Sequence, residues 1–186
     1  IKGTSGSDYI NGREGNDKLE GFDGSDYIDG EDGDDELYGG DGIDRLYGGN
    51  GNDKIYGGED RDFIYGGDGN DTIYGEEGDD IIEGGSGADY MDGGVGKNTI
   101  SYGESKGSIN VNLATGQASG ADAEGDQFKN FMHLGGSEYD DILIGDDQDR
   151  CWRAGRNHGR RRGWPRQCAG QGRTQGAGAD RRAGRY

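Results

Sequence analysis

A nine-residue period runs through residues 3–101 and limits the possible folds more than any other feature of this chain. Each repeat begins with a glycine, has an acidic side chain at its sixth position and has a large apolar side chain at its eighth. The acidic residues are Asp8, Asp17, Asp26, Asp35, Asp44, Asp53, Asp62, Asp71, Asp80 and Asp89, and Asn98 takes this place in the eleventh repeat. The apolar residues are Ile10, Leu19, Ile28, Leu37, Leu46, Ile55, Ile64, Ile73, Ile82, Met91 and Ile100. Because carboxylate and hydrophobe keep one register, the period predicts a coil of stacked turns whose carboxylates form ladders, an arrangement suited to binding cations.

The composition leaves little material for a conventional hydrophobic core. Hydrophobic residues make up 28% of the 186 residues and the formal net charge is −18, which is typical of chains near the disordered regime. Bound multivalent cations would offset the repulsion and cross-link the loops. The alternative is an acidic, glycine-rich linker without metal, but a linker does not require carboxylate and hydrophobe to stay two residues apart through eleven repeats.

Each position of the repeat has an expected role. Glycine at positions one, two and four permits backbone conformations that other residues avoid, so that carbonyl oxygens can turn toward a common point. Aspartate at position six supplies the hard anionic oxygen that calcium prefers, whereas magnesium retains its waters and demands stricter geometry. Positions seven to nine predict a short strand whose middle residue points inward. An EF-hand is excluded, because its loop has a different length and order of ligands.

Residues 39–47 and 48–56 show the full pattern Gly-Gly-x-Gly-x-Asp-x-hydrophobic-x. This pattern resembles the calcium-binding nonapeptide of the RTX (repeats-in-toxin, haemolysin-type) proteins over residues 3–101, and it returns at 136–145. The resemblance implies an all-β fold, a parallel β-roll (β-solenoid) of about eleven repeats with two repeats per turn. It also implies calcium ions between neighbouring loops of one edge, held by loop carbonyls and two position-six carboxylates, about eight ions in all.

The resemblance assigns the ligands residue by residue. At one edge we expect a ladder of Asp8, Asp26, Asp44, Asp62 and Asp80, and at the other a ladder of Asp17, Asp35, Asp53, Asp71 and Asp89. Glycines expected to present carbonyls to the ions are Gly40, Gly42, Gly49, Gly51, Gly58, Gly67 and Gly69. Glycine is replaced at position four by Asp60 and at position two by Thr4, Arg13, Phe22, Glu31 and Glu76. We therefore expect the best sites between residues 39 and 72, weaker sites toward residues 1–35, and the end of the ladder at Asn98.

The nonapeptides form a first domain, residues 1–101, and residues 102–149 are expected to form a β spacer or cap. Residues 108–113 and 128–134 predict strands, and Asp141 takes position six of one returning repeat, which makes it a further candidate metal ligand. Capping is the expected role, since an open coil end exposes apolar residues and sheet edges.

Residues 150–186 contain 11 of the 20 basic residues and only one of the 38 acidic ones. One interpretation is an unstructured, Arg-rich tail that binds nucleic acid or another polyanion. The other is an out-of-frame product, because Arg150 stands where the next aspartate is due. Coding DNA that shows further nonapeptides in another frame after codon 149 would decide for the second. We expect no nucleic-acid partner unless the tail is real.

The function expected from these features is calcium binding rather than catalysis. The chain has no His-Glu-x-x-His or Gly-x-Ser-x-Gly motif and only two histidines, so we expect no enzyme here. The RTX resemblance implies a secreted, extracellular bacterial module that passes unfolded through a type I secretion apparatus and stabilises a covalently linked upstream domain. It leaves open the repeat part of a secreted protease, lipase or epimerase.

A second open alternative is an adhesin-like module that binds glycans with its outward tyrosines at position nine: Tyr38, Tyr47, Tyr56, Tyr65 and Tyr74. The plainer interpretation is that these rings stack on one another beside a thin core. The chain lacks an initial Met and a recognisable leader, so we expect a fragment or a processed piece. No apolar run is long enough to cross a bilayer.

Overall fold

The computed structural model describes residues 1–145 and 150–153, and almost all regular structure in this part is β-strand. The nonapeptides form β1 (Tyr9–Glu14), β2 (Lys18–Asp23), β3 (Tyr27–Asp32), β4 (Glu36–Asp41), β5 (Arg45–Asn50), β6 (Lys54–Glu59), β7 (Phe63–Asp68), β8 (Thr72–Glu76), β9 (Ile81–Ser86), β10 (Tyr90–Asp92) and β11 (Thr99–Ser101). The spacer forms β12 (Asn110–Asn112), β13 (Gln117–Ser119), a 3₁₀ turn (Ala121–Ala123), β14 (Gln127–Lys129), β15 (His133–Gly136) and β16 (Ile142–Ile144), and β17 (Arg150–Arg153) follows.

The strands form two sheets, one of odd-numbered and one of mainly even-numbered strands. The first has the order β1-β3-β5-β7-β9-β11-β15-β17 and the second β16-β12-β13-β14-β10-β8-β6-β4-β2. Within the nonapeptides each strand pairs in parallel with the strand two along, in a register of 18 residues such as Ile28 with Leu46. Two repeats therefore make one turn, and the expected parallel β-roll is confirmed.

The strands are longer than the three residues that the pattern predicts. Most contain six, because the chain stays extended through the first three positions of the next repeat, as in β5. Side chains alternate between the two faces of a strand. Residue eight of one repeat and residue one of the next therefore both point into the roll. In β5 these are Leu46 and Gly48, both buried.

Each sheet contributes one row of apolar side chains to the core. Leu19, Ile28, Leu37, Leu46, Ile55, Ile73, Ile82, Met91 and Ile100 are completely buried. One large apolar residue per nine is a thin core, so burial alone offers limited stabilisation.

The spacer closes the end of this core. Tyr102, Ile109, Val111, Phe128 and Leu134 continue the apolar cluster beyond Ile100. The predicted strand at 108–113 is present as β12, but the single strand predicted at 128–134 is wrong. There, β14 joins one sheet and β15 the other, and the chain crosses between them at Asn130, which has a φ of 62°.

The segment expected to be an unstructured tail begins with a strand. β17 pairs in parallel with β15, with Arg150 beside His133. Residues 154–186 lie outside the described residues, and with them most of the segment on which the polyanion and out-of-frame hypotheses depend. In the part of the chain that the structure describes, no helix has the length and apolarity to span a membrane.

Candidate metal centre

Backbone hydrogen bonds stack the aspartates into two ladders along the two edges of the roll. Each position-six residue forms one rung of a ladder. The backbone N–H of each rung donates to the Oδ1 atom of the rung one turn on, with N–O distances between 2.7 and 2.9 Å. The first ladder consists of Asp8, Asp26, Asp44, Asp62, Asp80 and Asn98. The second ladder consists of Asp17, Asp35, Asp53, Asp71, Asp89 and Asp126. The sequence therefore predicted both ladders, with the exception of Asp126.

The other carboxylate oxygen, Oδ2, is buried and has no hydrogen-bond partner in eight of these rungs. They are Asp26, Asp35, Asp44, Asp53, Asp62, Asp71, Asp80 and Asp89, each at most 3% exposed. Taking a carboxylate out of water costs several kcal/mol unless a partner compensates it. A row of eight such oxygens fits a row of bound cations.

The first two rungs differ from the interior ones. The Oδ2 atom of Asp8 accepts hydrogen bonds from the backbone N–H of Thr4 at 2.6 Å and from its hydroxyl at 2.9 Å. Asp8 and Asp17 are also only partly buried. Their carboxylates are therefore better compensated by protein and solvent than those of the interior rungs.

For seven of the eight open oxygens, all except that of Asp89, a backbone carbonyl of the next turn lies close to the same position-one glycine. A methyl group on Gly39 would place its carbon 2.3 Å from Asp44 Oδ2 and 2.4 Å from the carbonyl oxygen of Gly57. The equivalent group on Gly48 would lie 2.3 Å from both Asp53 Oδ2 and the Gly66 carbonyl oxygen. Glycine at position one thus leaves a small space, which is lined by the carboxylate of its own repeat and by a carbonyl of the next turn.

The other glycines expected to be ligands have the backbone conformation that their role requires. Gly40, Gly42, Gly49, Gly51, Gly58, Gly67 and Gly69 have φ values between 111° and 140°. Where other residues replace glycine, they adopt the same left-handed region at a cost of roughly 1–3 kcal/mol each. These residues are Arg13, Phe22, Glu31, Asp60 and Glu76. The relative strengths of the sites remain a prediction.

The available donor atoms are all oxygens. In residues 1–145 and 150–153, no three His, Cys, Asp or Glu side chains converge in a way that could hold a metal ion. An ion between two rungs would therefore take its remaining ligands from backbone carbonyls. Calcium accepts six to eight such oxygens in flexible geometry, whereas zinc and copper favour nitrogen and sulfur.

Burial raises the pKa of the ladder carboxyls. The pKa is about 6 for Asp44, Asp53, Asp80 and Asp89, about 7 for Asp71 and about 8 for Asp62. Loss of water around the carboxylate is the main cause, and the N–H bond from the preceding rung opposes it. Burial likewise raises the pKa of Asp26 and Asp35, and the N–H bond from the preceding rung again opposes it. The charged form of these groups thus lacks compensation in the protein itself.

The ends of the two ladders differ from the expectation. The first ladder does stop at Asn98, but the second continues to Asp126, which the repeat pattern missed. Its backbone neighbour Gln127 donates to the Asp89 carbonyl at 2.8 Å, as Tyr27 does to Asp8. A signal was present in the sequence, since Phe128 follows Asp126 at the usual two-residue spacing.

Asp141 lies apart from both ladders. Its Oδ1 atom accepts hydrogen bonds from the Ser137 hydroxyl at 2.6 Å and the Ile109 N–H at 3.2 Å, and its Oδ2 atom is buried without a partner. In the sheet order, β12 and β13 separate its strand β16 from the strand β14 that follows Asp126. Its metal-binding role stays a prediction.

The outward tyrosines stack on one another along the sheets. The ring centroids are 4.8 Å apart for Tyr38 and Tyr56 and 5.2 Å apart for Tyr56 and Tyr74, with nearly parallel planes. Tyr47 and Tyr65 are 6.4 Å apart and tilted. This is the arrangement that the plainer interpretation expects.

A parallel β-roll with buried, uncompensated carboxylates along both edges defines the class of calcium-binding β-solenoids. Within that class, the chain belongs to the family of the RTX calcium-binding nonapeptide repeat, whose sequence model matches residues 2–37, 29–64, 38–73 and 65–100. The matched region contains every rung of the two ladders except Asp126. No curated protein matches the chain.

Proposed function

We propose that this chain folds as a calcium-dependent module, with ions held in the gaps between successive rungs of the two ladders. The observation that supports this most directly is the row of eight buried Oδ2 atoms without partners. Each gap would be lined by the Oδ2 atom of one rung and carbonyl oxygens of the next turn, as beside Gly39 and Gly48. Bound calcium supplies positive charge and cross-links neighbouring loops.

The ten aspartates of the nonapeptides provide eight gaps between carboxylates, four in each ladder, and six of the open Oδ2 atoms, those of Asp26, Asp35, Asp44, Asp53, Asp62 and Asp71, face these gaps. About eight dications would offset roughly 16 negative charges on the module. Without them, a thin core and a stack of buried carboxylates leave the chain extended, because its composition is close to the disordered regime. Affinities of about 10⁻⁴ to 10⁻³ M, usual for extracellular calcium modules, would couple folding to the calcium level outside a cell.

This coupling suits a secreted protein. A chain that stays unfolded at low calcium can pass through a type I secretion apparatus and then fold outside, where it would stabilise a covalently linked neighbour. We therefore propose a secreted, extracellular, non-enzymatic module, and a catalytic domain of a parent protein would lie outside this chain. Support comes from the family, the acidic ladders and the absence of catalytic motifs from the sequence.

A calcium titration followed by far-UV circular dichroism tests the folding step. We expect a cooperative gain of β signal that chelator reverses and that magnesium does not reproduce. A β-rich spectrum of the same intensity in chelator alone at pH 8 would contradict the proposal.

Asp53→Ala tests the ligands. The Asp53 carboxylate borders two gaps, because its Oδ1 atom accepts the N–H of Asp35 and its open Oδ2 atom lies near the Gly66 carbonyl of the next turn, so its loss should weaken both gaps together. We expect a higher calcium midpoint and a lower ion count than in the unsubstituted chain, both measured by calorimetric titration. Asp122→Ala is the control, since Asp122 lies in the spacer outside both ladders, and its titration should not change.

A further inference from the structure

The second ladder has a sixth rung that lies outside the nonapeptides. The N–H of Asp89 donates to Asp126 Oδ1 at 2.9 Å, the same bond that joins the other rungs, although the two residues are 37 apart instead of 18. Asp126 is 1% exposed. The spacer therefore contributes a buried carboxylate to the end of the ladder.

This rung belongs to a turn that is assembled from two separate segments. β11 pairs with β9 in the usual register, Thr99 beside Ile81, which places Tyr102 where the previous turn has its position-one glycine, Gly84. The chain then leaves the roll and returns at β14, where Phe128 lies beside Met91. Tyr102 thus takes position one and Asp126 position six of a final turn.

The gap between Asp89 and Asp126 shares the open carboxylate oxygen of the other gaps, although the three atoms nearest to a methyl group on Gly84 all belong to Asp89 and include no carbonyl of the next turn. Asp89 is 1% exposed, and its Oδ2 atom is buried without a hydrogen-bond partner. A methyl group on Gly84 would have its carbon 2.2 Å from this oxygen, compared with 2.3 Å for Gly39 and the oxygen of Asp44. The Asp89 Oδ2 atom therefore has the same position in its turn as the open Oδ2 atoms of the interior rungs.

Beyond Asp126 no open carboxylate oxygen follows in this ladder. Its Oδ2 atom accepts a hydrogen bond from the Tyr102 hydroxyl at 2.8 Å, and the hydroxyl is buried with it. Tyr102 fixes the carboxylate in place and satisfies the oxygen that faces away from Asp89. The ladder ends because its last oxygen has a protein partner.

The first ladder ends with different chemistry. Asn98 Oδ1 accepts the Asp80 N–H at 2.9 Å, but its Nδ2 atom donates to the carbonyls of Gly93 at 2.5 Å and Asn130 at 3.2 Å. The amide hydrogens satisfy carbonyls that a cation would otherwise bind. A neutral amide is thus sufficient for the ladder bond itself, and the charge of Asp126 is not needed for it.

We infer that Asp89 and Asp126 hold a further calcium ion at the junction of roll and spacer, with Tyr102 as the residue that positions Asp126. The inference rests on the proposed function, since it extends the same kind of site by one turn. Its consequence is that ordering of residues 102–129 depends on calcium as the roll does.

Asp126→Asn is the direct test. Asparagine keeps an oxygen for the Asp89 N–H, as Asn98 shows, and removes only the anionic ligand. We expect native mass spectrometry in saturating calcium to show one ion fewer than in the unsubstituted chain. Hydrogen exchange of residues 102–129 should accelerate by about tenfold or more, the change that a loss near 1.4 kcal/mol in local stability produces.

Glu124→Gln is the matched control. It removes the same charge two residues away, its side chain is exposed, and glutamine can still accept the Gly120 N–H. Ion count and exchange should equal those of the unsubstituted chain. An Asp126→Asn chain that binds as many ions as the unsubstituted chain and keeps its protection would overturn the inference, and the roll would still stand as a calcium module. Absence of calcium binding by the unsubstituted chain would instead refute the proposed function.

Tyr102→Phe separates positioning from a purely structural role. If Tyr102 positions an ion ligand, protection of residues 102–129 returns at a higher calcium concentration while the rest of the roll keeps its midpoint. A loss of protection that is the same at every calcium concentration would show that the Tyr102–Asp126 bond only holds the cap, and it would count against the site.

Discussion

At the residue scale, the position-one glycine determines whether a gap between rungs exists. From Gly3 to Gly75, a side chain in place of the glycine hydrogen would meet a carboxylate oxygen and a carbonyl oxygen at less than van der Waals distance. The sequence shows this glycine without exception from Gly3 to Gly93, but its reason is steric and lies in the neighbouring turn. Tyr102 can follow in this position only because its turn takes its aspartate from the spacer.

Gly48→Ala tests this steric role. The added carbon would lie 2.3 Å from both Asp53 Oδ2 and the Gly66 carbonyl, so turn and carboxylate must shift apart. Overpacking of this kind costs about 1–3 kcal/mol. We expect a lower thermal unfolding midpoint in saturating calcium, measured by circular dichroism. Gly6→Ala is the control, because a methyl group there meets nothing within 4 Å. Equal midpoints for the two variants would contradict the steric argument.

At the scale of the elements, each strand contributes one large apolar side chain, so each core position is indispensable to its own turn. Ile55 in β6 is completely buried, whereas Ile43, in the loop before β5, is 52% exposed. We expect Ile55→Ala to reduce the free energy of unfolding in calcium by about 2–5 kcal/mol, because the thin core cannot fill the cavity. Ile43→Ala should change it by less than about 0.5 kcal/mol.

Denaturant unfolding at saturating calcium measures both variants. A similar effect of the two substitutions would mean that the metal ions, rather than the rows of apolar side chains, supply nearly all of the stability of a turn.

The elements also show where sequence reasoning succeeds and where it fails. In the nonapeptides every residue meets its counterpart 18 residues away, so one period predicts sheet, register, core and both ladders. The sequence pattern underestimates the length of the strands, because the glycines at the extended positions have no side chain and so add nothing to the alternation of apolar and polar residues. In the spacer, no fixed residue spacing relates the residues that contact one another. The split of residues 128–134 between two sheets and the arrival of Asp126 at the second ladder therefore have no periodic signal.

At the scale of the whole molecule, the roll is a one-dimensional array in which each turn contacts only its neighbours and the spacer covers one end. Stability in such an array is roughly a sum over turns and the contacts between them. Each gap between rungs adds repulsion in the absence of cations and attraction in their presence. The acidic ladders thus make the state of the entire array sensitive to any species that neutralises carboxylates.

Protons are such a species, and the direction of their effect follows from the pKa values. Burial raises the folded-state pKa of the interior rungs from an ordinary 3.8 to about 6 for Asp44 and about 8 for Asp62. The folded state therefore binds these protons more tightly than the unfolded state. Their stabilising contribution is complete below about 3.8 and is lost as the pH rises through the folded values, between about 6 and 8.

We accordingly predict that, in chelator, the roll has more β structure at pH 5 than at pH 8, and that calcium restores it at pH 8. Far-UV circular dichroism across this range in chelator measures the effect, and the same series in saturating calcium is the control, in which the dependence should be much weaker. Asp62→Asn, which replaces the carboxyl of highest pKa by a neutral amide, should reduce the pH dependence in chelator. It should also raise the calcium midpoint, because a ligand is lost. A calcium-free roll with equal β content at both pH values would show that the buried carboxylates do not oppose folding.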